Sequence, residues 1–321
     1  MRAPIILLDG AMATQLAARG FELSEPLFAA RALLDAPELV EAIHFDYLLA
    51  GAQVLTTNSF GLHGSTLARA GIGEQQGALA RRAGEILEQV RRRAFAHDRK
   101  LARFRIAGSI PPRPASEWVA PSPLAQAEYR CFAEHLADAG VDLILLETFT
   151  TIAEARLALA GLAGLELPIW LSVVAGAPQP PSRRPDGSRL IGGEPLAELA
   201  ALADRVDALL INCTQIDAVP AALDALLVAT EAHPALPIGL SPHFGKRRHD
   251  GVWIERIVES EVFAEQMQAW LHSERPGRAR INLAGACCGS QPDDIAALRR
   301  RLQPDEAERE RAWTRLAELL P

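Results

Sequence analysis

Long apolar runs are missing from this chain: nowhere in its 321 residues does one approach the ~20 consecutive apolar residues that a bilayer span needs. A membrane-embedded protein is therefore not expected. The first residues, MRAPIILLDGAMA, are apolar only until Asp9 interrupts them, and no cleavage-like continuation follows, so export is not expected either. An excess of positive charge is also missing. The 33 Lys and Arg stand against 40 Asp and Glu, a net −7 with His neutral, which argues against nucleic acid or another polyanion as partner. No G-x-G-x-x-G follows the first apolar run and no Walker pattern occurs, so nothing speaks for a nucleotide-binding sheet. Four cysteines in so long a chain do not make a disulfide framework. Their positions suit metal or thiolate chemistry in a reducing compartment, and a cytoplasmic location is the expectation.

What the chain does have is length and alternation. About half of it is apolar, enough for one large α/β barrel or two ordinary domains. Short apolar runs read as buried strands at residues 5–8, 52–56, 105–110, 141–146, 169–174, 206–214, 237–240 and 281–283. Amphipathic stretches stand between them, among them 74–96, 124–139 before Gly140, 152–162, 195–202, 219–230 and 260–271. A last helix over 305–320 is expected to pack on the outside. Eight strands alternating with helices predict a single (β/α)8 TIM barrel over residues 1–321 with a C-terminal helical extension. The loop 111–123, with Trp118, is long enough to act as a lid.

Polar residues follow six of the eight predicted strands, which on a barrel gathers them at one face. Asp9-Gly10-Ala11 ends the first. Its acid reads either as a helix cap or as part of a turn whose N–H groups suit a carboxylate. Thr57-Asn58-Ser59-Phe60-Gly61 ends the second. Glu147 ends the fourth, where a carboxylate just past a buried strand needs a partner or ligand. Asn212-Cys213-Thr214 ends the sixth, and the eighth runs into the adjacent pair Cys287-Cys288, flanked by Gly285 and Gly289. Successive side chains of a regular strand point to opposite faces, so neighbouring thiols meet one ion only where the backbone bends, which the glycines permit. Three strand-end thiols suggest Zn2+ with three protein ligands and an open fourth position. The alternative is that they are small buried hydrophobes, inert toward metal. His243 and His249 are either a fourth ligand or solvated. Cys131, in the amphipathic run AEYRCFAEHLADAG, reads as core.

Taken together, these segments resemble the homocysteine S-methyltransferases, zinc-dependent barrels that include S-methylmethionine- and betaine-using enzymes. The resemblance runs almost end to end and is carried by LDGAMATQL at Asp9, HFDYLLAGAQVLTTNSF through Asn58, AGVDLILLET to Glu147, INCT at Cys213, and GACCG at Cys287 and Cys288. It implies that the three cysteines bind Zn2+ and that the thiol of homocysteine completes the metal shell. By the same resemblance Asp9 and Glu147 hold the amino-acid end of homocysteine, Glu147 answering its ammonium and the N–H groups of Gly10 and Ala11 its carboxylate. Asn58, Asn212 and Phe28 join the substrate-binding set. Phe28 stands where the family commonly has a tryptophan, a weaker face for a quaternary cation. The segment Ser241-Pro242-His243-Phe244-Gly245, followed by KRRHDG, departs from the Tyr-Pro-Asn of many S-methylmethionine-using members. The expected reaction gives methionine from homocysteine and a small sulfonium donor, S-methylmethionine before S-adenosylmethionine, with betaine third and folate excluded. The alternatives are a methyltransferase for another small thiol or selenol, and a zinc- or thiol-binding barrel without turnover. A monomer or homodimer is expected.

Overall fold

The computed structural model describes residues 3–113, 123–177, 185–243, 245–247, 253–256, 258–273 and 281–320. Eight strands form one parallel sheet: β1 (Ile6–Leu7), β2 (Val54–Thr56), β3 (Arg105–Ile110), β4 (Leu143–Phe149), β5 (Ile169–Val173), β8 (Ala208–Gln215), β9 (Ile238–His243) and β12 (Ile281–Ala284). Their order, β1-β12-β9-β8-β5-β4-β3-β2, leaves β1 and β2 at the two ends. A parallel bridge between Leu8 and Val54, with Gln53 N–H donating to Leu7 O (2.7 Å) and Asp9 N–H to Val54 O (3.1 Å), closes the sheet on itself. The result is the predicted (β/α)8 barrel. All eight strands agree with the expected runs to within a few residues, because a parallel sheet covered on both faces must be apolar throughout.

The helices in chain order are α1 (Met12–Ala18), α2 (Ala32–Asp35), α3 (Pro37–Ala50), α4 (Gly64–Arg69), α5 (Gln76–His97), α6 (Pro123–Asp138), α7 (Ile152–Gly161), α8 (Val219–Ala229), α9 (Ser260–Leu271), α10 (Pro292–Leu302) and α11 (Glu306–Leu319). The expected helix at 195–202 is a 3₁₀ segment, Leu196–Arg205. None of the helices among the described residues is long and apolar enough to cross a membrane. Two antiparallel hairpins went unforeseen: β6 (Ala175–Ala177) with β7 (Asp186–Leu190), and β10 (Gly245–Arg247) with β11 (Trp253–Arg256). Both lie in stretches whose charge and proline content read as loop.

Apolar packing falls into two layers. Between sheet and helices lies the larger core, to which α5 contributes Leu79, Ile86, Leu87 and Val90. Inside the barrel, Ile6, Leu8, Val54, Ala107, Leu143, Leu145, Trp170, Ala208, Leu210 and Leu283 pack together. Leu316 and Leu320 belong to this inner cluster, with Trp313 and Leu319 against it. The terminal helix therefore does not merely lie on the outside as expected: it seals the end of the barrel where the strands begin. Asp305 caps it, accepting the Glu308 N–H at 2.8 Å. With one end plugged, the strand ends at the opposite mouth are left for chemistry.

A second expectation also fails. Cys131 is exposed, not core, and its Sγ lies 3.4 Å from Nε2 of His135, one turn further along α6. The buried face of α6 is made instead by Ala125, Tyr129, Phe132, Ala133 and Leu136. Trp118 and His249 lie outside the described residues.

Candidate functional site

The strand ends bring Cys213, Cys287 and Cys288 together. Their sulfurs all lie within 4.8 Å of one another, with Cys213 Sγ to Cys288 Sγ at 3.5 Å and Cys287 Sγ to Cys288 Sγ at 4.0 Å. Each is partly accessible. The vicinal pair converges because the chain leaves strand geometry after Ala284. Cys287 N–H donates to Pro242 O on β9 (2.9 Å), Ser290 N–H returns to Cys287 O (3.1 Å), and Gly289 takes the left-handed conformation at φ 84° that this turn requires. Cys213 reaches the pair through its own departure, at φ 47°, unusual for a residue with a side chain. Hydrogen bonds that Cys213 and Cys287 can donate hold the Cys288 thiol well below the ordinary range, while Cys213 itself is pushed up. Three crowded thiols compete for ionisation, and a soft cation is what would ionise them together. Among the described residues this is the cluster with a metal-ligand donor set, and the donors fit a metal ion. His243 is buried at the end of β9 and does not belong to the cluster.

Two carboxyl groups face the same space. Asp9 is buried and accepts the Thr56 N–H (2.7 Å) and the Thr56 hydroxyl (2.9 Å) across the β1/β2 closure. Glu147, at the end of β4, accepts a short hydrogen bond from the Ser109 hydroxyl of β3. Burial raises both to about 7. The bonds from Thr56 and Ser109 oppose that rise; repulsion from Glu147 adds to it at Asp9, and repulsion from Cys287 at Glu147. Two buried carboxyls beside three thiols form a site that gains from a cationic ligand.

Gly10 is required for close approach. A Cβ there would stand 2.5 Å from Ser290 Oγ and 2.9 Å from the ring of Tyr47. The same serine takes the Ala11 N–H at 2.9 Å, so that donor, expected to face a substrate carboxylate, is already engaged. Gly289 N–H donates to Thr14 Oγ1 (3.0 Å), which staples the cysteine turn to α1. Asn58 is buried and spends its amide on Ala29 O (2.9 Å), tying the turn after β2 to the 3₁₀ segment Phe28–Arg31. Phe28 is 36% exposed with φ 52°. Asn212 turns its amide toward Thr148 and Ser172.

Sequence reasoning missed Thr56, Ser109, Ser172 and Ser290. Thr56, Ser109 and Ser172 are hydroxyls at or beside the end of an apolar strand, and Ser290 follows the cysteine turn. In Ser109 and Ser172, both buried to within 2% exposure, the available signal was a lone polar residue inside an apolar run.

The homocysteine S-methyltransferase family profile matches residues 6–302. The homocysteine S-methyltransferase of Escherichia coli strain K12 is 32% identical over 317 residues, covering 92% of this chain and 95% of that one. The crystal structure of the E. coli homocysteine methyltransferase MmuM in its metallated form superposes with a TM-score of 0.73 at 31% identity, covering 93% of this chain and 96% of that one. The selenocysteine Se-methyltransferase of Brassica oleracea var. italica is 27% identical, covering 92% of this chain and 88% of that one.

Proposed function

This chain belongs to the homocysteine S-methyltransferase family, and from that premise we propose that, as one barrel domain, it moves a methyl group from a small sulfonium donor to the thiol of homocysteine, giving methionine. The observation that carries the reading is the placement of Glu147 and Asp9 beside the cysteine cluster, since a barrel that only carried metal would need no clamp for an amino acid.

Cys213, Cys287 and Cys288 would hold Zn2+: a metal there is supported by the metallated relative, and zinc by the all-thiol donor set. When bound, the ion supplies the charge that deprotonates the acceptor thiol at neutral pH and keeps it as a thiolate. Glu147 binds the acceptor's ammonium, with Asp9 as the second anion, and the Gly10 N–H faces its carboxylate. The three cysteine thiolates leave the site negative overall, which preserves nucleophilic character on the acceptor sulfur. That sulfur attacks the donor's methyl carbon in line. The carbon–sulfur bond of the donor breaks, its electron pair stays on the donor sulfur, and a neutral thioether leaves. Opposite charges are neutralised along this path, so a site emptied of water by the bound substrates would favour it.

Donor choice follows from charge. An anionic site attracts a sulfonium and gives no such gain to a neutral or anionic folate. Betaine ranks behind the sulfoniums, because its quaternary ammonium is best held by an aromatic cage and Phe28 is exposed. S-methylmethionine is ranked first and S-adenosylmethionine second. A selenol acceptor fits the same clamp, a reading supported by the relation to the Brassica enzyme.

The test is methyl transfer by the purified, zinc-loaded protein to homocysteine and to selenocysteine, with S-methylmethionine, S-adenosylmethionine, betaine and methyltetrahydrofolate as donors. Methionine formed fastest from a sulfonium is the expected result. No turnover with any donor, or betaine faster than both sulfoniums, would overturn the corresponding part.

A further inference from the structure

We infer that Asn212 is a positioning residue: its side-chain amide sets the backbone that aims Glu147 and ties it to the turn that presents Cys213, rather than touching the substrate itself. The inference rests on the acceptor-binding role proposed for Glu147. It begins with two irregularities in the sheet. Strand β4 pairs with β5 through Leu146 to Leu171 and then Phe149 to Val173, so three steps along β4 oppose two along β5 and one residue is extra at Glu147–Thr148. Strand β8 pairs with β9 through Asn212 to Ser241 and then Gln215 to His243, again with one residue extra, at Cys213–Thr214. Each bulge re-aims one side chain of the site.

Each bulge also contains a residue with a side chain in left-handed backbone, Thr148 at φ 67° and Cys213 at φ 47°. That conformation is rare for such residues and rarest for a β-branched one, so something must hold Thr148 there. Asn212 does so with both ends of its amide. Its Oδ1 accepts the Thr148 N–H at 3.3 Å, and its Nδ2 donates to Thr148 Oγ1 at 2.9 Å. Its Oδ1 also accepts the Ser172 hydroxyl at 2.8 Å, on the strand between β8 and β4. The side chain is 5% exposed, with both amide ends engaged by protein. One amide therefore spans three strands. The residue after it is the proposed metal ligand Cys213, and the residue before its partner Thr148 is Glu147.

Glycine adopts φ 67° without strain, which supplies a test specific to this role. In zinc-loaded full-length protein, Asn212→Ala should weaken homocysteine binding by calorimetry and raise its KM about tenfold, with kcat changed less than about threefold and zinc content kept. Adding Thr148→Gly to Asn212→Ala should recover about half of that loss on a logarithmic scale, because the turn no longer needs the clamp. Thr148→Gly alone should stay near wild type, and Ser172→Ala, which removes one bond to the amide, should raise KM about twofold to threefold. Asn212→Ala with wild-type affinity would overturn the inference. So would a double variant as weak as Asn212→Ala at equal zinc content and melting temperature, since that pattern marks an amide acting on the substrate. If Asn212→Ala does not fold, the double variant and Ser172→Ala decide by the same readings. A wild-type chain that fails to bind homocysteine at all would instead sink the proposed function, and this inference with it.

Discussion

Replacing Glu147 by glutamine keeps the size of the side chain and an oxygen for the Ser109 hydroxyl, and removes one charge. In the free protein burial holds this carboxyl at about 7 rather than its usual 4.5, and an ammonium beside it is what would draw it back to the ionised form. Two unit charges about 4 Å apart interact by about 4 kcal/mol at an effective dielectric near 20. Desolvation of the ammonium and the charge retained on Asp9 offset part of this, leaving about 2–3 kcal/mol, or roughly 30- to 150-fold in affinity. Calorimetric titration of homocysteine into zinc-loaded protein at pH 8 measures the loss, and metal analysis of the same samples should show zinc unchanged. The pH dependence carries a sign. A carboxyl titrating near 7 is neutral below that, so wild-type binding should weaken as pH falls through 7, and Glu147→Gln should lose this part of the slope. Stability runs the other way. A carboxyl raised in the folded state contributes stability that is fully present below its ordinary value of 4.5 and is lost as pH rises through about 7. Without metal or substrate, Glu147→Gln should therefore melt higher than wild type above pH 7 and gain nothing below 4.5. Affinity within threefold of wild type, or zinc lost in step with affinity, would refute the assignment of this carboxylate to the acceptor.

Zinc should be held at about one per chain, lost largely in Cys213→Ser and kept in Cys131→Ser, since the first removes a member of the convergent cluster and the second an exposed thiol on α6; equal metal in both would contradict the site. Gly10→Ala places a Cβ 2.5 Å from Ser290 Oγ and should destabilise by about 1–3 kcal/mol in denaturant titration, and an unchanged midpoint would show that the turn is looser than described. Leu316→Ala, in the plug beneath the barrel, should destabilise by about 2–5 kcal/mol while leaving homocysteine affinity alone, because it lies at the end opposite the cysteines.

The barrel was legible because its strands are buried on both faces, and a run such as Leu143–Leu146 carries that fact in four consecutive letters. The cysteine pair was legible for a similar local reason, two thiols and two glycines within five residues. Cys131 was misread although the signal was present. The buried stripe of α6 runs through Tyr129, Phe132 and Leu136, and Cys131 stands one position off it, about 100° round the helix. The plug formed by α11 was illegible in a different way, since its apolar residues announce a buried face without naming what that face meets.

The geometry of the site belongs to this second kind. Nothing near Thr148 announces a left-handed residue, for no glycine or asparagine occupies the position, and the amide that holds it there lies 64 residues later in the chain. Ser109 meets Glu147 across 38 residues, and Ala11 meets Ser290 across 279. A bulge is a property of two strands read against each other, visible only once the register of both is known. The residue types that perform the chemistry could therefore be read one strand end at a time. What aims them is a set of partnerships between strand ends, and those exist only after the barrel has closed through Leu8 and Val54.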